Sequence, residues 1–272
     1  MEIVIPDLPN KYTKSDAKLF EYISNHTEAF LFMSISQLSK ETGMSEATIS
    51  RFAKHMGYQD YKDMRSKMIQ HQPLGGAANK LAGTLSKNES FDVQRWFRFQ
   101  QECIKTTAEN INGETFRKII ETLKSAERIY IHAKNASSSA AQLLFFRLRR
   151  LGFNVFLIPS GGSETIEGIA HAQRGDVAIL FSFSKLSKEG KYILDYSKQA
   201  GFSTVAFTSR RIMPREECAD YSMYVYRGED REYHSVSSAI VMVDALILAL
   251  SEEIKSVATE RLRKVQELKR QY

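Results

Sequence analysis

Residues 35–57 constrain the fold of this chain more than any other stretch. The run reads as two short helices joined by a tight turn. Ile35, Leu38 and Thr42 give the first helix an inward stripe at helical spacing. Gly43 supplies the permissive backbone at the break. Ser45 is placed to cap the second helix by accepting a hydrogen bond from a free amide of its first turn. Ile49, Phe52, Ala53 and Met56 then recur on one face, and Gly57 ends the helix. The opposite face carries Glu46, Ala47, Thr48, Ser50, Arg51 and Lys54, which are small or polar groups suited to base edges, with cations for phosphates. An ordinary helical hairpin in a core has the same pattern, so the flanking sequence has to decide.

The flanks extend the hairpin into a bundle. Ser15 to Asn25 predicts a helix with Leu19, Phe20 and Ile23 inward, and Tyr61, Met64 and Met68 share one side of a helix that follows. Here the chain resembles the RpiR family of bacterial transcriptional regulators, along "SISQLSKETGMSEATISRFAKHMGYQDYKDMRSKM". The match includes the family's Ser-x-Ala-Thr-Ile-Ser-Arg-Phe recognition helix and the Gly-Tyr-x-x-Tyr sequel. The resemblance implies that Ser45 to Met56 enters a major groove. Arg51 and Lys54 would then contact phosphate or guanine. Thr48 and Ser50 would contact base edges or backbone, and Ser36 or Gln37 the flanking phosphate; Ser45 is grouped with them.

Charge bounds this reading. The chain of 272 residues carries a net charge of +6, which suits a polyanionic partner. Residues 1–72 nevertheless hold nine cations against nine acids, so a DNA-binding domain there needs its cations on one face and help from dimerisation. No apolar run is long enough to predict a membrane span, and the first residues do not read as a signal peptide. Cys103 and Cys218 lack metal spacing, which predicts a reduced, cytoplasmic protein without a metal site.

Past a Pro-Gly-Gly break near 72–77, expected to be a flexible joint, residues 78–125 read as mainly helical, with a polar turn at Lys87 to Ser90. From Arg128 strands alternate with helices. Strands are expected at 128–132, 153–158, 176–183, 202–207 and 221–226, and helices at 137–151, 163–173, 187–201 and 237–254. That alternation indicates a parallel sheet with helices on both faces. In such sheets ligands sit beyond the carboxyl ends of the strands. The loops there are rich in hydroxyls: 135–139, 160–163, 182–187 and 208–209. Hydroxyls and helix N-termini suit a phosphate or a sugar, although serines also simply cap helices.

This half resembles the sugar isomerase (SIS) domain, clearest in "RGDVAILFSFSKLSKEGKYILDYSKQAGFSTVAFTS". The fold expected is an all-α helix-turn-helix domain followed by an α/β SIS domain, doubly wound on a parallel five-stranded sheet. The expected boundaries are 1–72 for the helix-turn-helix domain, 73–106 for linker and connecting helices, 107–254 for the SIS domain and 255–272 for a basic C-terminal helix. By resemblance, Ser137 takes the place of the family's first-loop serine. Ser182, Ser184 and Ser187 lie on its phosphate loop, and Ser237 and Asp244 on its closing helix. Asn135 and Lys185 stand where the family has glycine. Lys134 and Lys185 could bring charge to a phosphate directly. Asn135 and Ser138 complete the expected ligand set.

The expected function is transcriptional control of carbohydrate metabolism. A homodimer or homotetramer would bind double-stranded operator DNA under the influence of a phosphosugar, with no cofactor and no membrane. The alternative is a sugar-phosphate isomerase or deaminase. That chemistry needs a base next to a carbonyl, and His132, His171, His234, Glu164 and Glu167 are candidates by type alone. His132 reads as a strand residue packed in the core, whereas His234 precedes a helix start near the expected site.

Overall fold

The computed structural model describes residues 13–71, 76–86 and 90–271. They form two compact units. The first holds the residues up to Arg95 together with Gly228–His234, and the second holds Trp96–Arg227 and the chain from Ser235 onward. The expected joint residues 72–75 and turn residues 87–89 lie outside the described residues.

The first unit is all helical: α1 (Lys14–Asn25), α2 (Thr27–Phe32), α3 (Ile35–Thr42), α4 (Glu46–His55), α5 (Tyr61–His71) and α6 (Ala77–Leu85). Reciprocal capping boxes open α1 (Thr13 with Asp16) and α3 (Ser34 with Gln37), each satisfying two amides that a helix start leaves bare. The Asp16 carboxylate also holds His55 Nδ1 at 2.8 Å, tying the start of α1 to the end of α4. Leu19, Phe30, Leu38, Ile49, Phe52, Met56 and Met64 form the core, joined by Ala82 of α6. Truncating a ring such as Phe52 to alanine costs about 3–5 kcal/mol. The helix α2 was not expected. It has only six residues and no side-chain cap, so neither periodicity nor capping betrays it. Burial of Phe30 and Leu31 holds it in place. Its end is fastened by the Met33 carbonyl, which accepts from Tyr61 Oη (2.9 Å) and Arg65 Nη1 (2.6 Å).

The second unit is built on β1 (Ile129–Ala133), β2 (Val155–Leu157), β3 (Val177–Phe181), β4 (Ser203–Thr208) and β5 (Tyr221–Tyr224). All four strand pairings are parallel, in the order β2-β1-β3-β4-β5. The helices are α7 (Val93–Glu109), α8 (Gly113–Lys124), α9 (Ser138–Arg150), α10 (Ser163–Ile169), α11 (Lys188–Ala200), α12 (Ser237–Glu253) and α13 (Lys255–Gln271). Every residue of β1 and β3 is buried, as expected of strands covered on both faces. Alternation along β1 divides the core. Ile129 and Ile131 face a cluster with Leu144, Leu148, Val243 and Leu246 of α9 and α12. Tyr130 faces the other cluster, with Ile169 of α10 and Ile193 and Leu194 of α11.

Most expected boundaries shift by one or a few residues, and three of the shifts bear on the loops at the sheet edge. The α10 helix stops at Ile169 rather than 173. Asp176 precedes β3 rather than lying in it; its buried carboxylate takes both arms of Arg128 (3.0 and 2.8 Å) and the Gln173 amide (2.8 Å). Ser137 belongs to a short 3-10 turn before α9.

Candidate functional site

The hairpin of α3 and α4 turns at Gly43, whose φ of +69° is a left-handed conformation that glycine adopts without strain. Ser45 caps α4, its Oγ accepting from the Thr48 amide at 3.2 Å. Ile49, Phe52 and Ala53 are buried. Ser36, Gln37, Ser45, Arg51 and Lys54 are exposed, and Thr48 and Ser50 are half-buried. The sorting of inward and outward residues on α4 is therefore the one its sequence predicts. Several of these polar groups also hold the fold. Gln37 Oε1 accepts from the Ser34 amide (2.8 Å), and Thr48 Oγ1 meets both Ser45 Oγ (2.9 Å) and Arg51 Nη2 (3.4 Å). Arg51 and Lys54 are thus the long cations of the exposed face, and Thr48 orients one of them.

In the second unit the loops after β1, β3, β4 and β5 gather at the carboxyl edge of the sheet. The strand order reverses direction between β1 and β3, which is where open parallel sheets place ligands. Asn135, expected at a family glycine position, has a φ of +56°. Asparagine tolerates this region better than most residues, so the loop takes a left-handed turn there without glycine. Ser137 Oγ donates to the Lys134 carbonyl (2.7 Å) and Ser182 Oγ to the Lys185 carbonyl (3.0 Å). Ser187 caps α11, accepting from the Gly190 amide at 3.0 Å. Ser184 and Lys185 are exposed, whereas Ser138 and Ser237 are half-buried. The Ser237 hydroxyl lies 2.7 Å from that of Ser235.

Charges at this edge differ from the simplest expectation. Lys134 Nζ pairs with Glu189 at 2.8 Å, spanning from the loop after β1 to the first turn of α11. That ammonium lowers the Glu189 carboxyl to about 2. The buried cation here is Arg227, three residues past β5. Its Nε donates to Ser209 Oγ (3.2 Å), its Nη2 donates to Ser184 Oγ (3.3 Å), and its Cζ lies 3.9 Å from the Phe183 ring centroid. Sequence reading passed over Arg227 because it sits in a charged run, Arg-Gly-Glu-Asp-Arg, that looks like a solvated loop.

The catalytic candidates do not assemble. His132 is buried on β1, with Nε2 3.5 Å from Ser187 Oγ and Nδ1 lacking a hydrogen-bond partner, and burial pushes its pKa down. His234 packs in the first unit, with Nδ1 2.9 Å from Lys80 Nζ and Nε2 2.9 Å from the Glu229 carbonyl. Glu164, Glu167 and His171 are exposed on and after α10. Among the described residues no cluster of His, Cys, Asp and Glu could hold a metal, and no helix is long and apolar enough to cross a membrane.

Comparison with known proteins covers both units. The model of the helix-turn-helix domain of the rpiR family matches residues 2–72, and that of the SIS domain matches residues 122–249. An uncharacterized HTH-type transcriptional regulator of Clostridium perfringens is 27% identical over 259 residues, covering 93% of this chain and 92% of its own. Another, from Caldanaerobacter subterraneus, is 23% identical, covering 92% and 90%. The fold is similar to that of the Vibrio vulnificus NanR protein complexed with ManNAc-6P. That match has a TM-score of 0.60 and 21% identity, covering 94% of this chain and 93% of that one. The sugar isomerase domain of an RpiR transcription factor from Sphaerobacter thermophilus gives a TM-score of 0.59 at 20% identity, over 64% and 97%.

Proposed function

Because the chain belongs to the rpiR family of helix-turn-helix regulators and carries a SIS domain, we propose that it is a cytoplasmic transcription factor whose operator affinity is set by a phosphosugar. One observation carries the reading. A single chain joins a hairpin with an exposed, cation-bearing α4 to a parallel sheet whose strand order reverses beneath serine-bearing loops. The α4 face would enter the major groove, with Arg51 and Lys54 on phosphate or guanine and Thr48 and Ser50 nearer the bases. Ser36, Gln37 and Ser45 would fix the docking through backbone contacts. The effector would lie at the carboxyl edge among Asn135, Ser137, Ser138, Ser182, Ser184, Lys185, Ser187 and Ser237, with Lys134 available once released from Glu189.

The ManNAc-6P of the NanR structure is a phosphorylated sugar, and that ligand class suits hydroxyl-rich loops. A homodimer on a palindromic operator fits the exposed apolar side chains of α12 and α13, such as Leu248 and Leu268, which would be covered by a second copy. Turnover of the sugar is not part of the proposal.

The segment Gly228–His234 supports a route between sensing and DNA binding. In sequence it joins β5 to α12, yet it packs in the first unit. An effector changes DNA affinity only by binding the two arrangements differently, and this segment would carry that difference. The test is Arg51→Ala in the full chain. Operator affinity measured by fluorescence anisotropy should fall at least tenfold, with dimerisation and the thermal shift by phosphosugar unchanged. Intact DNA affinity would remove α4 from the interface.

A further inference from the structure

We propose that Arg227 is the residue that receives the phosphate of the effector. The proposal rests on the phosphosugar reading above and names the group that would recognise the phosphate.

Arg227 is 9% exposed. Among the described residues it has no carboxylate partner. Its two hydrogen bonds go to hydroxyls, at 3.2 and 3.3 Å, longer than the ~2.7–2.9 Å of charge-assisted pairs. It donates no hydrogen bond to a backbone carbonyl of the described residues. Burial, with no compensating charge, draws its guanidinium down to about 10. A buried cation without an anion is costly, and proteins satisfy such groups with a partner or a ligand. The neighbouring cations differ: Lys134 is paired with Glu189 and Arg210 with Glu217.

Position and shape point the same way. β3, β4 and β5 are adjacent and parallel, and Arg227 bridges their ends by reaching from the chain beyond β5 to Ser209 after β4 and Ser184 after β3. Ser209 is held for this, its own hydroxyl donating to the Val225 carbonyl at 2.6 Å. Phe183 lies against the guanidinium at 3.9 Å, so the planar fork is oriented rather than loose. A guanidinium presents paired donors that match a phosphate's oxygens, and Arg227 Nη1 makes no hydrogen bond to the described residues. An incoming phosphate would take the Nη donors and draw in the exposed Ser184 hydroxyl.

The experiment uses the full chain and three probes: ManNAc-6P, unphosphorylated ManNAc and inorganic phosphate. Binding is read by calorimetry and thermal shift on wild type, Arg227→Met and Arg227→Lys, with circular dichroism and operator binding as fold controls. We expect Arg227→Met to weaken the phosphorylated sugar by about 30-fold, as for a lost charged hydrogen-bond pair, and Arg227→Lys to recover part of that loss. Discrimination between phosphorylated and unphosphorylated sugar should collapse in Arg227→Met, a readout that a purely structural arginine would not move. If wild type binds phosphosugar and Arg227→Met binds it equally well, the inference is overturned while the effector reading stands. If wild type binds inorganic phosphate through Arg227 but ignores the sugar, the anion site stands and the phosphosugar reading fails. No binding of either phosphate probe to wild type overturns the inference.

Discussion

Gly83 lies inside α6, where glycine costs helix stability, and the contact it makes explains its presence. A Cβ built there would stand 2.2 Å from the Arg231 carbonyl oxygen and 3.3 Å from its carbon. Ordinary carbon-to-oxygen approach is about 3.3 Å, so a methyl group displaces the segment Gly228–His234 by roughly 1 Å. The obstacle is backbone and cannot rotate away. Two hydrogen bonds depend on that fit: Tyr233 N to Thr84 Oγ1 at 2.6 Å, and the Lys80 Nζ contact with His234 Nδ1 at 2.9 Å. At about 1 kcal/mol each, Gly83→Ala forfeits about 2 kcal/mol of attachment. The helix itself gains about 1 kcal/mol from alanine. Melting temperature should therefore move by only a few degrees, while local opening of the segment becomes roughly 30-fold more frequent. Hydrogen exchange read on a peptide spanning 226–236 measures this directly, and operator titrations with and without phosphosugar measure the consequence. Basal operator affinity should hold within about twofold, and the response to effector should shrink. Unchanged exchange would refute the packing argument. Accelerated exchange with a full effector response would refute the segment's part in coupling.

Two further outcomes follow from the sheet unit. Asp176→Ala leaves Arg128 without its bidentate partner and the Gln173 amide without an acceptor, and should lower the midpoint of chemical denaturation with operator contacts untouched; an unchanged midpoint would mean that the pair adds nothing to stability. Glu189, lowered by its Lys134 partner, contributes stability that is present above the ordinary glutamate range and is lost as pH falls from about 4.5 toward about 2. Because Lys134 is 37% exposed, the contribution is about 1 kcal/mol or less. Glu189→Gln should narrow the gap in melting temperature between pH 5 and pH 3, and an unchanged gap would mean that the pair is idle.

What the sequence disclosed follows from local physics. Ser45, Gly43 and the Ile49, Phe52, Ala53 stripe announce themselves because a cap, a left-handed turn and a helical period are each written within a few residues. The five strands are legible as apolar runs between turns, and the Asn135 loop as a turn after β1. What stayed hidden depends on residues distant in sequence. The α2 helix is held by Tyr61 and Arg65, about thirty positions away. Arg227 is buried by Phe183 and Ser184, which β3 delivers from more than forty positions upstream. The contact of His234 with Lys80 of α6 joins residues more than 150 positions apart, which a linear reading cannot show.

If one chain couples phosphosugar binding to operator binding, each ligand must change the affinity for the other. The direct measurement is the affinity of the full-length protein for its selected operator duplex, at fixed salt, in the presence and absence of each phosphosugar that calorimetry finds to bind. Operator affinity should change by at least about fivefold with one compound, and that compound's affinity should change by the same factor when operator is present. Identical operator affinities with every bound phosphosugar would contradict the coupling.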